Sequence, residues 1–454
     1  MDEYALAWCK RLIGCRSVSA DGTREISELC ARELLEPAGI HAQVLASSEG
    51  PHQVNLFSLV KGSEPAGAPL VLNTHLDTVP PGDHSLWTQC GRDPFTARVA
   101  DGRIYGLGAA DTKLDFVAKA LALISCGTPH RDVYLIATFG EERGLLGAKE
   151  LAASGRLPRG ALAYVGEASH LQVITAHKGL MAFELEIGFD PAPLAPNAVA
   201  RIVFNGRAAH SSTPQLGRNA IREALATVTA HPNVEVRAIN GGDAVNKVPA
   251  QCELLIAADT IGFPAGEPVA SAPAHRIPSR ALAALNQFIA ALEDFADRAG
   301  PPEPDYAPPT MTCNAGMVSS TDRAITLRFE LRPPPTLDLD VASTGAIAIV
   351  ERLESDYPEL RMAARRIRAN PGFRGKLGGE TVELAMAALA RARLPLEQEV
   401  KAGCTEAGVY AAAGLEPVVF GPGPSTSVIH TANEYNFLDD VAGAMRFYGE
   451  LLKL

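Results

Sequence analysis

Apolar residues recur along this chain with two periods, and a third group of apolar runs shows neither. Helical spacing marks residues 3–13, 23–35, 219–230, 280–297, 381–392 and 438–452, and a helix from residue 114 with apolar positions at 114, 117, 118 and 121. Alternation predicts strands at 53–60, 181–187, 198–205, 236–239, 252–258 and 324–332. Four short runs, at 69–72, 132–139, 161–165 and 416–420, are nearly continuous and read as buried strands. Three of these are followed within a few residues by an acid or an imidazole: His75 and Asp77, Glu141 and Glu142, and Glu167. In open α/β sheets ligands gather outside the carboxyl ends of strands, which is where these side chains fall.

The 454 residues exceed one hydrophobic core, so two domains are expected. An apolar content of 47% and a mean hydropathy near zero fit a globular chain. The formal charge of −11 argues against nucleic acid or an anionic membrane as partner, since both need a basic surface. An acidic start and no window of about 18 unbroken apolar residues lead to a cytoplasmic expectation. The eight cysteines are scattered without a Cys-x-x-Cys pair, which points to reduced thiols and excludes a finger-type zinc site. Cys404 has no base placed beside it by sequence and is read as a bystander.

Positions i and i+2 of a strand share a face, so His75 and Asp77 can project together, the imidazole toward a metal and the carboxylate behind it. Asp111 follows the Gly-rich stretch Ile104-Tyr-Gly-Leu-Gly-Ala-Ala and reads either as a helix N-cap or as a metal ligand on a close-approaching loop. Gly106 and Gly108 lack the third glycine of a dinucleotide fingerprint. Adjacent carboxylates at the end of an apolar strand are costly without a cation. A metal site built from His75, Asp111, Glu141 or Glu142, and Glu167 on one rim is the simplest reading. Oxygen and imidazole donors without thiolate suit Zn²⁺, with Co²⁺ or Mn²⁺ as substitutes.

Six segments, in order, carry a family resemblance. They are Thr74-His-Leu-Asp-Thr-Val-Pro80, Tyr105-Gly-Leu-Gly-Ala-Ala-Asp-Thr-Lys113, Thr138-Phe-Gly-Glu-Glu142, Val165-Gly-Glu-Ala168, Gly206-Arg-Ala-Ala-His-Ser-Ser212, and Phe420-Gly-Pro-Gly with His430-Thr-Ala-Asn-Glu434. The chain resembles the dinuclear zinc amidohydrolases that include acetylornithine deacetylase, succinyl-diaminopimelate desuccinylase, aminoacylase, glutamate carboxypeptidase and several dipeptidases. The resemblance implies an α/β, zinc-exopeptidase-like catalytic domain, a mixed central sheet flanked by helices, at residues 1–177 and 360–454. It also implies an inserted smaller α+β lid at 178–359, here with an insertion around 260–310. It implies two Zn²⁺ ions: His75 and Glu167 on one, Glu142 and His430 on the other, and Asp111 bridging them. Asp77 then orients His75, Glu141 is the general acid/base, and His210 of the lid stabilises the oxyanion.

The substrate side is less conventional. Asn246 matches a family asparagine that holds substrate. The arginine expected shortly after Asp259 is absent, and Arg332 is the candidate replacement for gripping a carboxylate. Gly403 and Thr405 lie in Lys401-Ala-Gly-Cys-Thr-Glu406, which stands where relatives carry Gly-Gly-Thr-Asp at the substrate's carboxylate end. The resemblance implies a small-molecule substrate, an N-acyl amino acid or a dipeptide. Glu at 167 favours deacylation, whereas the enlarged lid favours a dipeptidase or carboxypeptidase. A homodimer and a monomer completed by that lid both stay open.

Overall fold

The computed structural model describes residues 1–64, 67–193, 198–258, 266–269, 273, 275–425 and 428–454. The chain divides into two compact units, Met1–His177 with Gly372–Leu454, and Lys178–Pro371. Among the described residues no helix is long and apolar enough to cross a membrane.

The first unit is built on a mixed sheet of nine described strands. Four of them form its centre: β1 (Leu70–His75), β2 (Val133–Thr138), β3 (Leu162–Val165) and β4 (Glu416–Val419). β1 lies between β2 and β3, β4 follows β3, and all four run parallel. His75 pairs with Thr138 and Asn73 with Val165, so the carboxyl ends of β1, β2 and β3 reach one rim together. Side chains alternate across the sheet. Leu70, Leu72, Leu135 and Tyr164 enter one core with the helices Glu3–Gly14, Glu380–Ala392 and Leu438–Leu451, while Val71, Ile136, Ala163 and Val165 enter a second core with Leu146–Ala153 and Ala407–Ala412. Helix α1 (Lys113–Cys126) departs from the amphipathic expectation: it is buried all round from Lys113 to Leu123, including Lys113, Asp115 and Lys119.

The second unit carries an eight-stranded antiparallel sheet among its described residues, with Glu267–Val269 at one edge and Arg361–Asn370 at the other. Helices Ala220–Ala230, Ser279–Arg298 and Leu339–Asp356 share one core with it. Asn219 caps the first of these helices by accepting the N–H groups of Ile221 and Arg222. The expected boundary at 359/360 is corrected here. Arg361–Asn370 pairs with Leu180–Gly188, so the second unit runs on to Pro371. An edge strand with exposed arginines on much of its length has too weak an apolar period to be read from sequence. Of the insertion around 260–310, the helix Ser279–Arg298 is described; residues 259–265, 270–272 and 274, and with them the position of Asp259, lie outside the described residues.

Candidate metal centre

The rim of the first unit collects the donors. His75 is the last residue of β1, Glu167 follows β3 after Gly166, and Glu141 and Glu142 follow β2 after Gly140, which adopts a left-handed φ of +64°. Asp111 precedes α1, whose N-cap is Thr112, so the N-cap reading of Asp111 fails. Its carboxylate faces imidazoles instead: Oδ1 is 3.0 Å from His75 Nε2 and Oδ2 is 3.1 Å from His430 Nε2. His430 Nε2 is also 3.1 Å from Glu142 Oε1.

Two donor groups result. His75, Asp111 and Glu167 each offer an atom within 4.8 Å of the others, and so do Asp111, Glu142 and His430. Tetrahedral zinc with ligand bonds of about 2.0–2.2 Å needs donors roughly 3.3–3.6 Å apart, a small adjustment from this arrangement. The electrostatics fit as well. Burial, then the charge of Asp111, pushes Glu167 up to about 8 and raises Glu142; burial raises Glu141 well above the carboxylate range. Burial opposes charge on His430, but the Asp111 and Glu142 carboxylates outweigh it and lift the imidazole to about 11. So many acids in one buried patch are stable as anions only beside cations, and Asp111 is the one side chain common to both groups.

Asp77 acts differently from the expectation. His75 Nδ1 lies 3.0 Å from the backbone carbonyl of Asp77 and 3.6 Å from its carboxylate, the latter too long for a hydrogen bond. A carbonyl only accepts, so Nδ1 carries the proton and Nε2 is the donor atom toward a metal. The carboxylate instead accepts from Ser19 Oγ at 2.6 Å and from the backbone N–H groups of Glu141 and Glu142 at 3.1 and 3.4 Å. It fixes the chain at the two glutamates.

Glu434 has a role that the sequence did not assign, although it closes a quoted motif. Its buried carboxylate accepts the N–H groups of Ala110 and Asp111 at 2.8 and 3.0 Å. Burial and the nearby Asp111 charge raise it to about 7. Next to it Asn433 accepts from Gln89 N and donates to Leu86 O, anchoring the segment that carries His430.

The substrate candidates divide. Thr405 is buried, with its hydroxyl 2.9 Å from His177 Nε2 and accepting from Ala407 N, so it shapes the loop. At Gly403 a Cβ would meet open space. In the second unit Arg332 is only 3% exposed, its guanidinium held by Glu330 at 2.6 Å and Ser211 at 3.2 Å, which corrects its assignment as a substrate grip. Asn246 is half-buried and accepts the N–H of Ser211 on its backbone carbonyl. His210 is exposed; its Nδ1 accepts the N–H of Ser212 at 3.2 Å and lies 2.6 Å from Ser212 Oγ, so the neutral ring carries its proton on Nε2.

Known proteins resemble this chain over most of its length. The profile described as Peptidase family M20/M25/M40 matches residues 71–454. Acetylornithine deacetylase of Proteus mirabilis (strain HI4320) is 33% identical over a segment covering 54% of this chain and 64% of that protein, less than two thirds of the relative's length. Aminoacylhistidine dipeptidase of Vibrio alginolyticus superposes with a TM-score of 0.65 at 16% identity, covering 99% and 96% of the two chains. An M20 family metallo-carboxypeptidase of Sulfolobus solfataricus gives 0.63 at 17% identity, covering 100% and 99%.

Proposed function

The chain belongs to peptidase family M20/M25/M40, and on that premise we propose that it is a dinuclear metal hydrolase that cleaves the amide bond of an N-acyl amino acid. The observation that carries this reading is Asp111, shared between two triads of imidazole and carboxylate donors. His75 and Glu167 would hold one Zn²⁺, Glu142 and His430 the other, and Asp111 both. Two such ions supply Lewis-acid polarisation of the scissile carbonyl and make an attacking water acidic enough to ionise near neutral pH.

The chain's own residues do the remaining work. Glu141 sits beside the ligand Glu142 but in neither donor group, and its backbone is pinned by Asp77. It takes a proton from the attacking water and returns it to the leaving amine. His210, with its proton on Nε2, carries the kind of donor that oxyanion stabilisation requires. Deacylation is preferred because the matched relative at 33% identity is a deacetylase.

The test is Glu141→Gln together with a panel of N-acetyl, N-succinyl and N-formyl amino acids beside simple dipeptides. The variant should bind two ions and lose kcat by roughly 10²–10⁴-fold. An unchanged kcat removes Glu141 as the base. Turnover of dipeptides alone would replace the deacylase reading with a dipeptidase.

A further inference from the structure

Two charged side chains of α1 form a buried pair that nothing in the chemistry above uses. Asp115 and Lys119 are both 0% exposed in their side chains, and Lys119 Nζ is 2.6 Å from Asp115 Oδ2. Lys119 also donates to the carbonyl of Asn73 at 2.5 Å and to Thr74 Oγ1 at 3.0 Å, while Thr74 Oγ1 donates to Asp115 Oδ2 at 2.6 Å. Asp115 Oδ1 accepts from the buried Tyr448 hydroxyl at 2.7 Å.

Stability does not account for this pair. Burying two charges costs several kcal/mol per ion, and replacing a buried pair by apolar side chains of similar volume is often neutral or stabilising. Its position is more informative. Asn73 and Thr74 immediately precede His75. The same Asn73 carbonyl accepts the N–H of Gly166 at 2.7 Å, and Gly166 immediately precedes Glu167. A Cβ at Gly166 would overlap Asp115 Oδ2, so the carboxylate lies directly under that turn. The pair therefore touches the chain one or two residues before both donors assigned to one ion, and among the described residues it forms no hydrogen bond or ion pair with Glu142 or His430.

We propose that Asp115 and Lys119 are positioning residues that lock the ends of β1 and β3 together and so set the spacing of His75 and Glu167 for one of the two ions. The proposal rests on the dinuclear reading above. Metal-free protein is titrated with Zn²⁺ by calorimetry, with His75→Ala and Glu142→Ala identifying the two binding events. Asp115→Asn/Lys119→Met should keep the wild-type melting temperature or exceed it, yet bind the ion of His75 and Glu167 about 10–100-fold more weakly, with the other ion retained. Thr74→Val keeps both charges and removes the hydroxyl that joins them to the residue before His75, while the Lys119 bond to the Asn73 carbonyl remains; it should show a smaller loss of the same selectivity, and it decides the matter if the double variant does not fold. A folded Thr74→Val protein that binds both ions with wild-type affinity overturns the proposal. Wild-type protein that fails to bind two ions overturns the dinuclear reading instead.

Discussion

The carboxylate of Glu434 receives the backbone N–H of Asp111 at 3.0 Å, so the segment that ends in one donor's neighbourhood holds the residue common to both donor groups. Glu434→Ala leaves the N–H groups of Ala110 and Asp111 without a buried acceptor, at about 1–3 kcal/mol each. The expected result is a lower melting temperature and weaker binding of both ions. Glu434→Gln retains one acceptor oxygen and should recover part of the loss. Zinc titration of the two metal-free variants, beside their melting curves, checks this.

Asp77 gives a second prediction. Because the backbone carbonyl sets the His75 tautomer, Asp77→Ala should leave that interaction in place and release the N–H groups of Glu141 and Glu142. Activity should fall by roughly 10–100-fold, with the ion assigned to Glu142 weakened at least as much as that of His75. A loss confined to the His75 ion would show that the carboxylate acts on the imidazole after all.

Metal uptake should depend on pH in a definite direction. In the metal-free protein Glu167 is raised to about 8 and His430 to about 11, so at neutral pH both carry protons that a metal must displace. Zinc binding should release protons, and apparent affinity should rise between about pH 6 and 8, by up to tenfold per pH unit for each proton displaced. Calorimetry in buffers of different ionisation enthalpy measures the proton count. Affinity that is flat over this range contradicts the assignment of these groups as donors.

Arg332 should behave as a structural cation. Arg332→Met leaves Glu330 buried without its cation, though still bonded by the Ser211 hydroxyl, at about 3–5 kcal/mol, whereas Arg332→Met with Glu330→Leu removes both charges and should recover most of the stability. Urea denaturation separates the two. If Arg332→Met instead keeps full stability and raises KM alone, the arginine contacts substrate.

The sequence by itself determined the donor types, their order, and their attachment to the ends of apolar runs, because a buried strand must be apolar and a carboxylate just beyond it is legible against that background. His75, Glu141, Glu142 and Glu167 were visible in this way, and the motif order identified the family. Tertiary structure alone decided which atoms meet. The carboxylate of Asp77 turns to Ser19 and Glu141, Glu434 reaches a loop more than three hundred residues earlier, and Arg332 is enclosed by Glu330 and Ser211. The helix period showed the apolar positions of α1 but not that Asp115 and Lys119 are buried beneath two strand ends. Hydrophobic period reports the average environment of an element. Whether a charged side chain on it faces water or a partner depends on chain segments far away in sequence, and that is settled only when they pack.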